Sequence, residues 1–303
     1  MITTTNLIEI YYFADEFCKE FDKTMEARQV DDSSTKKRRK RLSTLNDAEV
    51  ITILVAFHLG AYRNLKHFYT QHVQIHMKQE FPQTVSYNRF VELQQKVLLP
   101  MTLFLKVMRA GSNTGISFID STPIRVCKNK RIYNHKVFKD IAQRGKSTMG
   151  YFFGFKLHIV VNDKGEIIEF MITPGNVDDR DPLKNVNFLK KLKGKLFADK
   201  GYVSQALFET LFLGGIQLVT GLRRNMKNQL MSMNDKILLR KRSVIETIND
   251  ELKNMCQIEH SRHRSFTNFI ANLISGLLAY SYFPKKPSIK YKTADTFGQL
   301  ALF

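Results

Sequence analysis

The spacing of apolar residues divides the chain into a helical first part and a mixed second part. Over the first 110 residues apolar side chains recur every three to four positions, which predicts amphipathic helices. We expect these helices at residues 7–21, 46–60, 62–78 and 86–97. The second of them begins at Thr44 or Asn46, because Asp47 and Glu49 then fall in its first turn.

From residue 115 onward, short apolar runs alternate with turn residues and with further helical stretches. Strands are predicted at residues 115–120, 152–161, 166–172, 195–199 and 216–220, and helices at 181–192, 204–213 and 239–256. This order predicts the α/β class, with a mixed sheet flanked by helices behind a helical N-terminal region. The expected division is a helical region over 1–110, a sheet-containing domain over 111–285 and a tail over 286–303. The three short helices of the first region, with their basic residues, would suit a helix-turn-helix-like module that binds DNA, and equally an unrelated small helical bundle.

Two of the predicted strands end in an aspartate. Asp120 ends the apolar run 116–119, and Asp199 ends the run 196–198. A carboxylate at the end of a buried strand costs free energy unless a cation or a metal ion pairs with it. If the first and fourth predicted strands are neighbours, the two aspartates meet. That arrangement is typical of a ribonuclease H-like domain.

A third acid lies on the last of these predicted helices. Arg242, Glu246, Asn249 and Lys253 are spaced at i, i+4, i+7 and i+11, so they share one stripe of the helix. Taken alone, a stripe of this kind is an ordinary solvent-facing surface with i,i+4 ion pairs. Brought together with the two aspartates, Glu246 completes a set of hard oxygen ligands suited to Mg²⁺, for which Mn²⁺ is a possible substitute.

Two Mg²⁺ ions about 3.5–4 Å apart promote in-line displacement at a phosphodiester, because they activate the attacking oxygen and stabilise the leaving one. The three acids therefore predict phosphoryl transfer. Arg242 and Lys253 are the cations expected to hold a phosphate backbone beside them.

The net charge favours a polyanionic partner. There are 47 Lys and Arg residues against 28 Asp and Glu, a net charge of +19. Nucleic acid is the first candidate and a membrane surface the second. The run 36–41 is all basic, and it is either an arm on DNA phosphates or a solvated linker. Residues 223–227 and 260–264 carry further cations for which the same two explanations stand.

The three cysteines are widely separated, which fits a reducing cytoplasm and argues against a disulfide framework. No secretory signal is predicted at the N-terminus. The uncharged stretch 266–283 is interrupted by polar residues, so we expect a buried core helix and no membrane span.

At its acidic motifs the sequence resembles the DDE transposases of bacterial insertion sequences. The motifs are Ile119-Asp120-Ser121-Thr122, Ala198-Asp199-Lys200-Gly201-Tyr202 and Arg242-Ser243-Val244-Ile245-Glu246 with Lys253. The family's Tyr before the Arg is replaced here by Leu239. Further strings, such as Gly175-Asn176-Val177-Asp178-Asp179-Arg180, are similar to the insertion sequence 982 family in particular.

This resemblance implies a ribonuclease H-like catalytic domain in which Asp120, Asp199 and Glu246 bind Mg²⁺. It implies cleavage and joining of double-stranded DNA at terminal inverted repeats and at a target, in the cytoplasm of a bacterium at its nucleoid. Because two DNA ends must be paired, a homodimer is expected. Two alternatives stay open: a ribonuclease H-like nuclease without strand transfer, and a non-enzymatic DNA-binding protein derived from a transposase.

Two residues on the second predicted strand are also candidates for DNA binding. Lys156 and His158 share one face of that strand, and both approach Asp120 if the strand neighbours the first one. For His158, a contact with DNA or a carboxylate competes evenly with a hydrogen-bonded core histidine. Asp178, Asp179 and Asp181 are expected in a loop and at a helix N-cap, with a supporting role near the metal ions as the lesser alternative.

Overall fold

The computed structural model describes residues 3–28, 43–222, 231–259 and 263–290. The basic run 36–41, the cations at 223–227 and residues 260–262 lie outside the described residues.

Helices and strands follow in nearly the predicted order. The helices are α1 (Thr4–Arg28), α2 (Asp47–Leu59), α3 (Leu65–His67), α4 (Gln74–His76), α5 (Tyr87–Lys96), α6 (Leu98–Phe104), α7 (Val186–Leu189), α8 (Gln205–Leu213), α9 (Met233–Arg240), α10 (Ser243–Asn254) and α11 (Phe266–Ser281). The strands are β1 (Ile116–Cys127), β2 (Gln143–Ser147), β3 (Gly150–Asn162), β4 (Ile167–Pro174), β5 (Gly194–Ala198) and β6 (Ile216–Thr220). Turns of π-helix cover Phe68–Val73 and Leu105–Arg109.

The start of α2 shows how local chemistry fixes a helix end. The Asn46 side chain accepts a hydrogen bond from the backbone N–H of Glu49, and the Glu49 carboxylate accepts one from the backbone N–H of Asn46, both at 2.7 Å. This capping box satisfies two backbone donors at once and selects Asn46 over Thr44.

Helix α2 is buried on every side, with residues 50–58 all but inaccessible to solvent. It packs between α1 and α11, and α11 also contacts α5 and α6. Helix α11 is buried along most of its length, which confirms the core helix predicted for that stretch. One hydrophobic cluster therefore runs from the N-terminal helices through α11 to the sheet. Within the described residues, no helix has the length and apolar character needed to cross a membrane.

The sheet is mixed, as predicted, and it places the first and fourth predicted strands side by side. β1 pairs antiparallel with β3 and parallel with β5, and β5 continues parallel to β6. β4 and β2 both pair antiparallel with β3, β4 along residues 155–161 and β2 along 150–154. An antiparallel half joined to a parallel half through a central first strand, with helices packed against it, is the ribonuclease H-like mixed sheet, so the predicted fold class is confirmed.

Four local expectations were wrong. Strand β1, expected over 115–120, continues to Cys127, so Asp120 lies inside the strand and not at its end, because β3 pairs with β1 along its whole length. The helix expected over 181–192 is only a 3₁₀ turn, Asp181–Lys184, followed by α7, because Asn185 adopts an extended conformation between them. The helix expected over 239–256 is divided at residues 241 and 242, since α9 packs on β5 and β6 whereas α10 crosses β1. Strand β2 was not predicted.

A buried histidine makes the stability of the fold depend on pH. The Nδ1–H of His58 donates to the carbonyl of Cys256, and its Nε2 lies 2.9 Å from the Ser275 hydroxyl. Burial lowers the pKa of His58 from 6.5 to about 4, although hydrogen bonds with the backbone of Cys256 and Asn272 oppose the shift.

The unfolded chain therefore binds a proton at His58 below pH 6.5 that the folded chain does not take up until about pH 4. We expect the free energy of unfolding to fall with decreasing pH across this window, by about 1.4 kcal/mol per pH unit for this one residue. Urea unfolding of wild type and His58→Gln at several pH values checks this. The variant should have a lower free energy of unfolding at pH 7. Between pH 6.5 and about 4, its free energy of unfolding should depend on pH less steeply than that of wild type, by the contribution of one proton. An equal dependence on pH in the two proteins would contradict the prediction.

Candidate active site

The pairing of β1 with β5 brings Asp120 and Asp199 together. In their parallel register Phe118 is paired with Phe197, and each aspartate lies two residues after its phenylalanine in the sequence. The two phenylalanine rings are fully buried and stack with centroids 5.4 Å apart. The predicted neighbourhood of the first and fourth strands is thus present, and the aromatic pair packs on the two strands directly beneath the acids.

Helix α10 crosses β1 and brings its polar stripe to the same place. The Asn249 amide donates to Oδ2 of Asp120 at 3.0 Å. Arg242 lies between two carboxylates, with Nη2 2.8 Å from Oε1 of Glu246 and Nη1 3.9 Å from Oδ1 of Asp120. Through these contacts the acid on α10 faces the acid on β1.

The electrostatics of Asp120 reflect this crowding. The pKa of its carboxyl is raised from 3.8 to about 6. Burial is the main cause, Arg242 and a backbone hydrogen bond with Ser121 oppose it, and the nearby Asp199 and Glu246 contribute to the rise. Glu246 is more than half exposed. The carboxylate of Asp199 accepts a hydrogen bond from the backbone N–H of Gly201. The site therefore contains one strongly desolvated acid and two that are open to solvent or to a ligand.

The donor chemistry fits a divalent cation. Carboxylate oxygens are hard ligands of the kind that Mg²⁺ prefers, and a cation relieves both the burial cost and the repulsion that raise the pKa of Asp120. In the described part of the chain, however, no three His, Cys, Asp or Glu side chains are gathered closely enough to hold a metal ion. The guanidinium of Arg242 instead balances the charge between Asp120 and Glu246.

Lys253 lies further along α10 and points at β1. Its Nζ donates to the carbonyl of Pro123 at 2.8 Å and lies 3.6 Å from the carboxylate of Glu259. Burial lowers its pKa. The expected contact of Lys253 and Arg242 with a phosphate backbone stays a prediction, since both cations here bind groups of the protein.

The expectation that Lys156 and His158 approach Asp120 is wrong. The register pairs Asp120 with Ile159, so the two candidates lie on the other face of the sheet. Lys156 donates to the carboxylate of Asp179 at 2.9 Å. His158 is fully buried, its Nε2 lies 2.9 Å from the Thr173 hydroxyl, and burial lowers its pKa to about 4. It is the hydrogen-bonded core histidine of the two alternatives.

Two residues for which the sequence predicted no main role at the site lie close to the acids in the structure. Asp179 accepts a hydrogen bond from the Ser121 hydroxyl at 2.8 Å, so it is tied to the residue that follows Asp120. Tyr202 is buried, and burial together with Asp120, Asp179 and Asp199 raises the pKa of its phenol well above the ordinary value. The pair of acids at 178 and 179 was the signal in the sequence. For Tyr202, the sequence contained no signal that the side chain would be buried beside the acids.

A family model described as the transposase DDE domain matches residues 110–266, just over half of the chain. The chain therefore belongs to this family. The matched range begins before β1 and ends after α10, so it includes all three candidate acids. The DDE transposase part of the resemblance is confirmed, and the narrower likeness to insertion sequence 982 stays a prediction.

Among solved structures, the chain is similar to a piggyBac transposase synaptic complex with hairpin DNA, at 10% identity and a TM-score of 0.45, over 92% of this chain and 72% of that one. It is also similar to the Mos1 strand transfer complex, at 14% identity and a TM-score of 0.24, over 88% and 84% of the two chains. No curated protein sequence matches the chain. The assignment to a family therefore rests on the family model.

Proposed function

We propose that this protein is a DNA transposase that cleaves the ends of a mobile DNA element and joins them to a target. Asp120, Asp199 and Glu246 are its metal-binding carboxylates. The observation that carries the proposal is the buried carboxyl of Asp120, whose pKa is raised in part by the other two acids. A carboxyl whose pKa is shifted by burial and by neighbouring acids is typical of a functional site, and the three acids lie within the matched transposase domain.

The three acids contribute the ligands, and Asn249 fixes the orientation of the first of them through its hydrogen bond to Oδ2 of Asp120. A bound divalent cation, Mg²⁺ or its substitute Mn²⁺, supplies positive charge to the attacking and leaving oxygens of a phosphodiester. Arg242 has further guanidinium donors, and in the proposed complex with DNA it exchanges a carboxylate partner for a phosphate oxygen.

A basic groove supports double-stranded DNA as the substrate. One pocket of about 840 Å³ lies between the N-terminal helices and the start of α11, with Arg63 and Lys66 in its wall. A second pocket of about 880 Å³, with Arg125 and Arg131, follows the end of β1. The two share His263 and Arg264, so they form one continuous surface.

Cations along a groove of this size suit the phosphate backbone of a duplex. The helical region 1–110 is proposed to bind DNA through this groove. It does so from the loop before α3, because α2 is buried and has no face to present to a DNA groove. Pairing of two DNA ends suits a homodimer, which light scattering of the purified protein tests.

The experiment that tests the function incubates the intact protein with linear DNA carrying the sequences that flank its coding region on each side. Parallel reactions contain Mg²⁺, Mn²⁺, Ca²⁺ or a chelator. A transposase gives cleavage at a fixed position and joined products with Mg²⁺ or Mn²⁺, and neither with the chelator.

The same reactions separate the two alternatives. A ribonuclease H-like nuclease gives metal-dependent cuts without any joined product. A DNA-binding protein that has lost activity retards the DNA equally in all four reactions and cuts it in none. Either result would remove strand transfer from the assignment.

A further inference from the structure

The segment between β1 and β3 has a composition unlike the rest of the sheet. We call residues 128–151 the hairpin segment, because they include β2 and the turn into β3. The segment carries seven basic side chains and a single acid, Asp140. The basic residues are Lys128, Lys130, Arg131, Lys136, Lys139, Arg144 and Lys146. This concentration of charge is an electrostatic footprint for a polyanion.

Large apolar side chains on this segment are unusually exposed. The exposed fractions are 86% for Tyr133, 85% for Met149 and 66% for Tyr151. The guanidinium of Arg144 lies 5.7 Å from the ring centroid of Tyr133, and the ammonium of Lys146 lies 5.9 Å from that of Tyr151. The second pair is fixed by the sheet, since Lys146 and Tyr151 are directly opposite in the β2–β3 register. Each ring thus keeps a free face beside a cation.

A pocket joins this surface to the candidate active site. Its volume is about 570 Å³, within the roughly 300–1,000 Å³ of small-molecule sites. Tyr151, Arg144 and Lys146 form one wall, and Lys156 with the loop 175–179, which contains the acids Asp178 and Asp179, forms another. Gly201, whose N–H donates to the Asp199 carboxylate, also lines it. The pocket therefore lies on the side of the sheet that carries Lys156, and it reaches the candidate active site at Gly201, two residues after Asp199.

We propose that the hairpin segment and this pocket bind unpaired nucleotides of the DNA strand beside the cleaved phosphodiester. Tyr151 and Tyr133 stack on the bases, and Arg144 and Lys146 bind the adjoining phosphates. The position beside the cleavage site rests on the proposed function. A base inside a duplex is stacked on both sides, so only a base that has left the helix can place its face on a tyrosine in a pocket. Stacking of this kind tolerates any sequence.

The test measures binding by fluorescence anisotropy, with the intact protein and without divalent cation so that no cleavage occurs. The probes are a labelled oligothymidylate of about 12 nucleotides and a duplex of the same length, a size within the usual range of single-strand sites. Tyr151→Ala removes the ring, Tyr151→Phe keeps it, and Phe212→Ala removes another exposed ring, on α8, as the matched control.

We expect Tyr151→Ala to weaken binding of the single strand about tenfold, with Tyr151→Phe and Phe212→Ala within about threefold of wild type on both probes. Tyr151 also lines the second pocket of the basic groove, but the cations of that groove bind the duplex phosphates, so duplex binding by Tyr151→Ala should stay within that range as well. Equal losses on both probes would show a general DNA surface and overturn the proposal, as would unchanged binding of the single strand. A shift of Tyr151→Ala from dimer to monomer, with DNA binding unchanged, would place the ring against a second copy of the chain and overturn it as well.

These readouts do not depend on catalysis. If the flanking-DNA reactions show strand transfer and Tyr151→Ala binds the single strand normally, the proposed function stands and this inference fails. If no cleavage is found but the single strand is bound through Tyr151, the nucleotide site stands and its link to cleavage fails.

Discussion

Asp120→Asn is expected to lower the rate of DNA cleavage at least about a thousandfold, an effect of roughly 4 kcal/mol on the activation barrier. Asn has nearly the same shape as Asp, and its carbonyl oxygen can still accept the hydrogen bond from Asn249. What is lost is the negative charge that binds a cation. The measurement is the rate of cleavage and joining on the flanking DNA, with duplex binding and thermal unfolding recorded on the same preparation.

The fold of this variant should survive, because the change removes a charge that is costly to bury. The pKa of Asp120 is raised mainly by burial, so the ionised form is disfavoured in the folded protein. A variant that neither folds nor binds DNA would be uninformative about catalysis. Glu246→Gln then serves in its place, since Glu246 is exposed and its loss leaves the core intact.

Helix α10 provides a matched control for that second variant. Asp250 lies four residues after Glu246 on the same helix and accepts a hydrogen bond only from Asn254 at 2.6 Å among its described contacts. Asp250→Asn should cleave DNA within about twofold of wild type, whereas Glu246→Gln should lose activity like Asp120→Asn. Full activity of Glu246→Gln would remove Glu246 from the site.

The acids could be predicted because their sequence context breaks a rule. Asp120 and Asp199 end apolar runs, where a carboxylate is hard to explain unless something pairs with it. Short apolar runs located the start of β1 and nearly all of β5, but the second half of β1, which is more polar, was missed. The adjacency of the two strands was a hypothesis that the sheet confirms. The helical stripe around Glu246 followed from the 3.6-residue period.

Other features depend on partners that the local sequence does not contain. β2 has the sequence Gln-Arg-Gly-Lys-Ser, with no apolar alternation, and it is a strand only because β3 supplies the hydrogen bonds. The face on which Lys156 lies depends on the register between β1 and β3. A shift of one residue in that register would have turned it toward Asp120.

The division between α9 and α10 has the same cause and a functional consequence. Asp235 on α9 pairs with Lys195 of β5 at 2.7 Å, which holds α9 over the parallel half of the sheet. Helix α10 must instead cross β1 to reach Asp120. The break between them places Arg242 at the start of α10, where its side chain can reach both acids. A continuous helix would not meet both requirements.

The spacing of the two aspartates depends on the aromatic pair below them, so Phe197→Ala is expected to damage both stability and activity. Phe197 is fully buried and stacks on Phe118, and each ring lies two residues before an aspartate. Truncating a buried phenylalanine costs about 3–5 kcal/mol, a large share of the roughly 5–15 kcal/mol that stabilises a typical domain. Urea unfolding measures the loss, and cleavage assayed well below the unfolding transition measures the effect on the site.

Two further variants separate the causes. Phe212→Ala truncates a phenylalanine that is 62% exposed on α8, and it should change the free energy of unfolding by less than about 1 kcal/mol. Phe197→Leu keeps most of the buried volume and should lose less stability than Phe197→Ala, but it removes the stacking with Phe118. If Phe197→Leu is folded and still cleaves DNA slowly, the ring acts on the spacing of Asp120 and Asp199. If its activity equals wild type, filling the space between the strands is sufficient and the stacking geometry has no part in placing the acids.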